Sequence, residues 1–401
     1  MNDRVTPAPE QERVSGTTRL DIAILGGGIA GLWLVNRLQQ VGYSTCLIER
    51  QGLGGEQTLA SQGMIHGGIK YTLGGALTNA SETIAAMPER WQACLRGEGD
   101  IDLSAVRTLS RDYYLFSDAR LTSKVTALFG SKLVEGRVRA VAQKDAPVAF
   151  RDPGFKGLLY KLEDVVIDTP SLVAVLAEKA APQIYTGTCD ISQSDQTIES
   201  LTLADGSCIS ASHYILAAGA GNGELIDTLN LPLKMQRRPL NQVILKGDPL
   251  PEVYAHAVSL RSADKPRLTI TTHRSTSGTV WYLGGELAES GVTRTDAEQI
   301  ACARQELTQL LPWLDFSHCE FSCCRIDRAE PSQDDQSRPD TPYARTFGNI
   351  TVCWPTKLTL TPMLGDMVMA QININASAND RFQAALPPRL GHSPWDTADA
   401  G

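Results

Sequence analysis

No run of about 18 or more apolar residues occurs in the 401-residue chain, so the sequence offers no transmembrane helix. The first 18 residues are polar and rich in Pro, Glu, Arg and Thr. They lack the apolar core of a secretory signal and read as a disordered lead. Internal repeats, a Walker phosphate loop, an HExxH helix, a Ser/His/Asp triad order and paired CxxC spacings are all missing. An excess of positive charge is missing too: 37 Lys and Arg stand against 45 Asp and Glu, for a net charge of −8. That balance argues against a general nucleic-acid binder, which needs a basic face, but leaves room for a local basic pocket. The nine cysteines are odd in number and scattered. With no export signal, they point to free thiols in a reducing cytoplasm. Cys319, Cys323 and Cys324 lie close to His318 and raise the question of a metal. Their spacing is not that of a paired site, and residues 319–326 alternate like a strand, which favours core packing.

What is present is enough for two ordinary domains, with 42% hydrophobic residues to build their cores. Residues 20–25 (Leu-Asp-Ile-Ala-Ile-Leu) form an apolar run of strand length, followed at once by Gly-Gly-Gly-Ile-Ala-Gly at 26–31. Leu32, Val35, Leu38 and Val41 then recur at helical spacing, Gly42 closes the helix, and residues 44–48 read as a second strand ending at Glu49. Strand, glycine turn, helix, strand and terminal acid within about 30 residues make a dinucleotide-binding unit. Gly26 permits the tight turn, Gly28 admits the diphosphate, and Gly31 lets the helix sit close on the strand. Ile29 and Ala30 open the helix, whose free N–H groups and dipole favour phosphate. Glu49 can accept from ribose hydroxyls and disfavours the 2′-phosphate of NADP, and Arg50 adjoins it. This motif does not by itself separate FAD from NAD.

Residues 54–73 (Gly-Gly-Glu-Gln-Thr-Leu-Ala-Ser-Gln-Gly-Met-Ile-His-Gly-Gly-Ile-Lys-Tyr-Thr-Leu) do separate them. The segment resembles the post-Rossmann segment of the D-amino-acid-oxidase-like FAD oxidoreductases. It looks most like their glycerol-3-phosphate dehydrogenase and L-2-hydroxyglutarate oxidase branches. The matching residues are Ser61, Ile65, His66, Gly67, Gly68 and Tyr71, with Lys70 where the first branch usually has Arg. Residues 212–225 resemble the family's strand that returns to the cofactor, with Ala218 and Gly219 in the turn. Asp168-Thr169-Pro170 resembles the start of the helix before it. Residues 351–362 are similar to the last flavin segment, whose Leu-x-x-Pro delivers a helix N-terminus to the pyrimidine edge. Lys357, before Leu358, stands where the family normally has Gly.

The resemblance implies FAD as cofactor, bound by Gly26, Gly28, Ile29, Ala30, Gly31, Glu49, Arg50, Ser61, Gln62, Gly63, Ala218, Gly219, Lys357 and Leu358. It implies an α/β fold: a Rossmann-like, glutathione-reductase-type FAD domain beside an α+β substrate domain on an antiparallel sheet. The FAD domain is expected at 19–80, 150–232 and 340–378, the substrate domain at 81–149 and 233–339, and a mobile tail from 379 onward. Residues 237–247, 266–272 and 279–284 read as strands of the substrate sheet, and 295–311 as a helix with Ile300, Ala303, Leu307 and Leu310 on one face.

The implied reaction is oxidation of a C–OH or C–NH bond of a small anionic substrate, a 2-hydroxy acid or glycerol-phosphate-like compound, by hydride transfer to flavin. An amine or amino-acid oxidase of the same fold is the neighbouring reading, and a flavin-binding protein without turnover is the reading from another class. The sequence names no electron acceptor. His66 is expected to be either the proton acceptor or a structural histidine bonded to backbone. Arg328 or Arg325 is expected to grip the carboxylate, an arginine at the end of this strand being the family's usual reader. Their spacing of three puts them on opposite faces of a strand. Lys357 is expected at the flavin ring. Tyr282, on the substrate sheet, is expected to bind substrate, and Tyr254, His256 and His273 on the same sheet are candidates either to line the pocket or to pack within the sheet.

Overall fold

The computed structural model describes residues 16–67, 79–118, 138–258, 265–276, 278–334, 339–377 and 380–397. Gly68, Lys70, Tyr71 and most of the expected lead lie outside them. The first strand runs Thr17–Leu25, so Thr17 and Thr18, expected in the lead, already pair with Cys208 and Ile209. Helix Ile29–Gln40 and strand Thr45–Glu49 follow. Five parallel strands form the middle of the first sheet: Ile184–Thr186, Thr45–Glu49, Thr17–Leu25, Cys208–Leu216 and Ile350–Trp354. All five run in the same direction, so the carboxyl ends of these strands gather on one side, where doubly wound sheets bind ligands.

The helix Ile29–Gln40 is apolar on nearly every side because it lies between this sheet and other helices. Trp33 packs on Trp91, ring centroids 5.2 Å apart. Trp91 belongs to helix Asn79–Leu95, and Ile101, Leu103 and Val106 join the same core. Residues 84–106 therefore pack with the dinucleotide unit, not with the substrate domain as expected. Asp168 caps helix Thr169–Lys179 by accepting from the Ser171 N–H, and Thr295 with Glu298 forms a capping box on helix Asp296–Leu310.

The second sheet has eight strands, in the order Glu320–Pro331, Met235–Lys246, Gly278–Gly284, Leu268–Ser275, Tyr254–Ala257, Tyr113–Phe116, Leu159–Leu162 and Val138–Ala140. All its pairings are antiparallel except Tyr254–Ala257 with Tyr113–Phe116. Its own core takes in Phe150 and Leu159, so this unit also claims residues placed in the FAD domain by the sequence.

The C-terminal segment is not the mobile end its prolines and weak periodicity suggested. Leu53 and residues 389–391 exchange backbone hydrogen bonds, each 2.8 Å. Trp395, 1% exposed, stacks on His273 at 4.2 Å and meets the Tyr282 ring edge-on. Contacts to both domains fix a stretch that has little local structure of its own. Cys319 is buried in the second core with Cys323 packed on it, and the described residues contain no cluster able to hold a metal. All nine cysteines are free.

Two buried histidines give the fold a pH dependence. His213 bonds Thr351 at 2.8 Å and His273 bonds Thr271 at 2.9 Å, and burial pushes both down to about 4. The unfolded chain takes up these protons near pH 6.5 while the folded chain does not, so stability present above 6.5 falls as pH drops toward 4. We expect each histidine to cost about 2 kcal/mol by pH 5. Urea melts at pH 7 and pH 5 should show the loss halved in His213→Phe; equal losses would refute the assignment.

Candidate active site

A cavity of about 710 Å³ opens at the carboxyl ends of the parallel strands and is roofed by the second sheet. Its floor is the glycine turn. Gly26 has φ +112°, and a side chain there would strike the Ala218 backbone at 2.4 Å. A Cβ on Gly31 would stand 1.9 Å from the Gly26 carbonyl. Gly28 differs: its nearest neighbour would be Thr58 Oγ1 at 3.4 Å, so its missing side chain leaves open cavity. Ile29 and Ala30 line this floor, and Thr58 accepts from the Ile29 N–H at 3.0 Å.

Glu49 lines the cavity where expected, and its carboxylate has structural duties as well. It accepts from the Gly27 N–H at 2.7 Å and from the Gln51 N–H at 2.9 Å, which braces the turn. Spare lone pairs remain for a ribose hydroxyl. Arg50 lines the same end, half-exposed and 3.5 Å from Glu224. Ser61, Gln62 and Gly63 form one wall. Ser61 Oγ is buried with no hydrogen-bond partner among the described residues, which suits it to a bound polar group. Gln62 donates to the Tyr282 carbonyl at 2.9 Å and the Thr271 hydroxyl at 3.3 Å. The Gly63 carbonyl accepts from Ile167 N–H at 2.9 Å, tying this wall to the fold.

Ala218 and Gly219 close the cavity from the return strand. A residue missed by the sequence reading organises them: buried Asn222 accepts from the Ala218 N–H at 2.9 Å and donates to the Leu216 and Cys353 carbonyls, both at 3.2 Å. An Asn three residues after Gly219 is the signal that could have found it. Trp354 donates to the Gly219 carbonyl at 2.9 Å. Lys357 and Leu358 also line the cavity, where the turn Leu358–Leu360 begins and leads into helix Thr361–Gln371. The Lys357 side chain is 10% exposed, with Nζ 3.8 Å from Asp340. His66 lines the cavity beside them, its backbone N–H donating to Thr359 at 3.2 Å.

The arginine pair separates as strand geometry requires. Arg328 lines the cavity, donating to the Arg238 carbonyl at 3.2 Å and pairing with Glu289 at 3.3 Å. Burial beside Arg238 lowers its pKa, yet an arginine stays charged at any working pH. Burial acts to raise Glu289, but the Lys265 hydrogen bond and the Arg328 charge outweigh it and hold it low. Arg325 lies on the outer face, 48% exposed, bonded to the carbonyls of Val292 and Arg294 and to Asp296. It takes no part in the cavity.

Tyr282 is also corrected. It is fully buried behind the wall, where its hydroxyl donates to Gln242 Oε1 at 2.8 Å. Tyr254, His256 and His273 likewise stand outside the cavity lining, packed in the sheet. Gln242, which does line it, was missed because nothing in its local sequence marks it.

The donor set therefore fits a flavin dinucleotide: an open floor at Gly28, a helix N-terminus, an acid at the ribose position and an orphaned Ser61 hydroxyl. Comparison with known proteins agrees. The model of the DAO family, FAD dependent oxidoreductase, matches residues 21–368. A probable FAD-dependent oxidoreductase of Pseudomonas aeruginosa is 46% identical over 391 residues, covering 95% of this chain and 98% of that protein. The crystal structure of an FAD dependent oxidoreductase from the same organism has a TM-score of 0.82 at 41% identity, covering 96% of this chain and 100% of that one. Glycine oxidase from Geobacillus kaustophilus has a TM-score of 0.62 at 16% identity, covering 92% and 100%, a likeness of fold alone.

Proposed function

The chain belongs to the DAO family of FAD-dependent oxidoreductases, and from that premise we propose that it oxidises a C–N or C–OH bond of a small substrate carrying a carboxylate. Arg328 carries this reading: it is the guanidinium that the second sheet turns into the cavity, opposite the flavin segments. Its wall carries one positive charge in excess, because Arg328, Arg238 and Lys265 meet Glu289 and Glu330. Such a wall suits a singly charged carboxylate group at Arg328 better than a phosphate dianion, which favours the carboxylates over glycerol-phosphate-like compounds. The free thiols fit a reducing compartment such as the cytoplasm.

Bound FAD supplies the two-electron acceptor. The protein binds, orients and moves protons. Arg328 fixes the carboxylate, and its planar fork sets direction as well as position. His66 takes the hydroxyl or ammonium proton as the C–H bond is cleaved. The roof excludes water and strengthens these interactions. The test is anaerobic flavin bleaching against a panel of amino acids, N-substituted amino acids, 2-hydroxy acids and glycerol phosphates. Bleaching by a carboxylate supports the reading; bleaching by glycerol phosphate alone overturns it.

Lys357 tunes the flavin. A largely buried ammonium in the cavity wall favours a reduced, anionic ring over a neutral one. Lys357→Met keeps most of the stem and should lower the midpoint potential by roughly 20–65 mV, the equivalent of about 1–3 kcal/mol. Redox titration of the holoprotein measures it, and an unchanged potential removes Lys357 from this role.

A further inference from the structure

We propose that Gln242 is a specificity-determining residue: it donates to an oxygen acceptor at the far end of a substrate whose carboxylate is held by Arg328. The proposal rests on the reading of Arg328 above. Leu240 and Gln242 alternate on strand Met235–Lys246, and Ile326 and Arg328 alternate on its neighbour, Glu320–Pro331. All four side chains line the cavity, so they form one face of the sheet.

The register sets their spacing. Arg238 pairs with Arg328, Leu240 with Ile326, and Gln242 with Cys324. Gln242 thus lies four residues along the strand from the level of Arg328, about 14 Å at a rise of about 3.4 Å per residue. The level between them is the apolar pair Leu240 and Ile326. The face presents a cation, an apolar waist and an amide in that order.

The amide is held for donation. Gln242 is 4% exposed, and its Oε1 is occupied by the Tyr282 hydroxyl at 2.8 Å. Burial raises the Tyr282 pKa well above 10, so that hydroxyl keeps its proton. Trp395 and His273 pack edge-on against the Tyr282 ring. With its oxygen engaged, Gln242 turns Nε2 the other way, and no described residue accepts from it. Gly284 keeps that space open: a Cβ there would stand 3.5 Å from Gln242 Nε2 and 2.7 Å from Gln62 Oε1. Tyr282 is accordingly a positioning residue. The substrate class is a carboxylate with a short apolar spacer and a second carboxylate or amide carbonyl.

Binding without turnover tests this. The probes are dicarboxylates from glutarate to suberate and monocarboxylates of matching length, titrated into the holoprotein and read by perturbation of the flavin spectrum. The parent protein should bind one dicarboxylate length about tenfold tighter than its monocarboxylate partner. Gln242→Leu should erase that ratio while leaving the free-enzyme flavin spectrum unchanged. Tyr282→Phe should reduce the ratio by a smaller factor. If the ratio is absent in the parent protein, or survives Gln242→Leu, the proposal is overturned. A Gln242-dependent ratio in a protein that no panel compound bleaches would uphold this site and sink the catalytic reading instead.

Discussion

Gly31→Ala is expected to yield a folded protein that purifies without its yellow cofactor. The added methyl would stand 1.9 Å from the Gly26 carbonyl, so the helix must lift away from the turn. Gly26 cannot yield, because its φ of +112° and the Ala218 backbone behind it leave no slack. Overpacking of this kind costs about 1–3 kcal/mol or more, and the displaced helix N-terminus no longer points at the diphosphate. Gly28→Ala is the informative companion. Its methyl meets only Thr58 Oγ1 at 3.4 Å, so stability should match the parent while FAD affinity falls. Flavin released by denaturation, measured by chromatography against protein concentration, reads both variants. A full complement of FAD in Gly31→Ala would mean that the close approach of helix and turn is not what holds the cofactor.

Arg328→Ala should lower kcat/KM about a hundredfold, with KM carrying most of the loss and the flavin spectrum unchanged. Removing a guanidinium that meets a partly desolvated carboxylate costs about 2–3 kcal/mol. Arg328→Lys keeps the charge but not the fork, and should recover only part of it. The vacated Glu289 still has Lys265 at 2.8 Å, so the loss is not one of folding. Arg325→Ala is the control. That side chain bonds two carbonyls and Asp296 on the outer face and should leave the kinetics intact. The reverse outcome, with Arg325 sensitive and Arg328 silent, would relocate the substrate to the opposite face of the sheet.

The dinucleotide unit was legible because its parts are contiguous. Residues 20–49 carry a strand, a turn, a helical period and a terminal acid, each readable from spacing within one or two turns of chain. The caps at Asp168 and Thr295, though not read from the sequence, are equally local: a side chain meets a backbone N–H three residues on. Domain limits were less legible. Helix Asn79–Leu95 has a sequence that suits either unit, and the match of Trp91 to Trp33 settles where it packs. The C-terminal segment, weak in local pattern, owes its order to Leu53 and His273, more than a hundred residues away in the chain.

The sequence by itself determined the dinucleotide-binding unit, because phosphate binding needs glycines and a helix start at fixed local offsets, and the segments at 54–73, 212–225 and 351–362 carried the resemblance that named the family and FAD. It also limited Arg325 and Arg328 to opposite faces of one strand, because side chains alternate. Only the tertiary structure decided which of the two meets the cavity, since that depends on the side from which the second sheet roofs the first. It alone drew Tyr282 out of the lining and brought Gln242 in. Register between strands distant in the chain sets that exchange, and no local pattern encodes it.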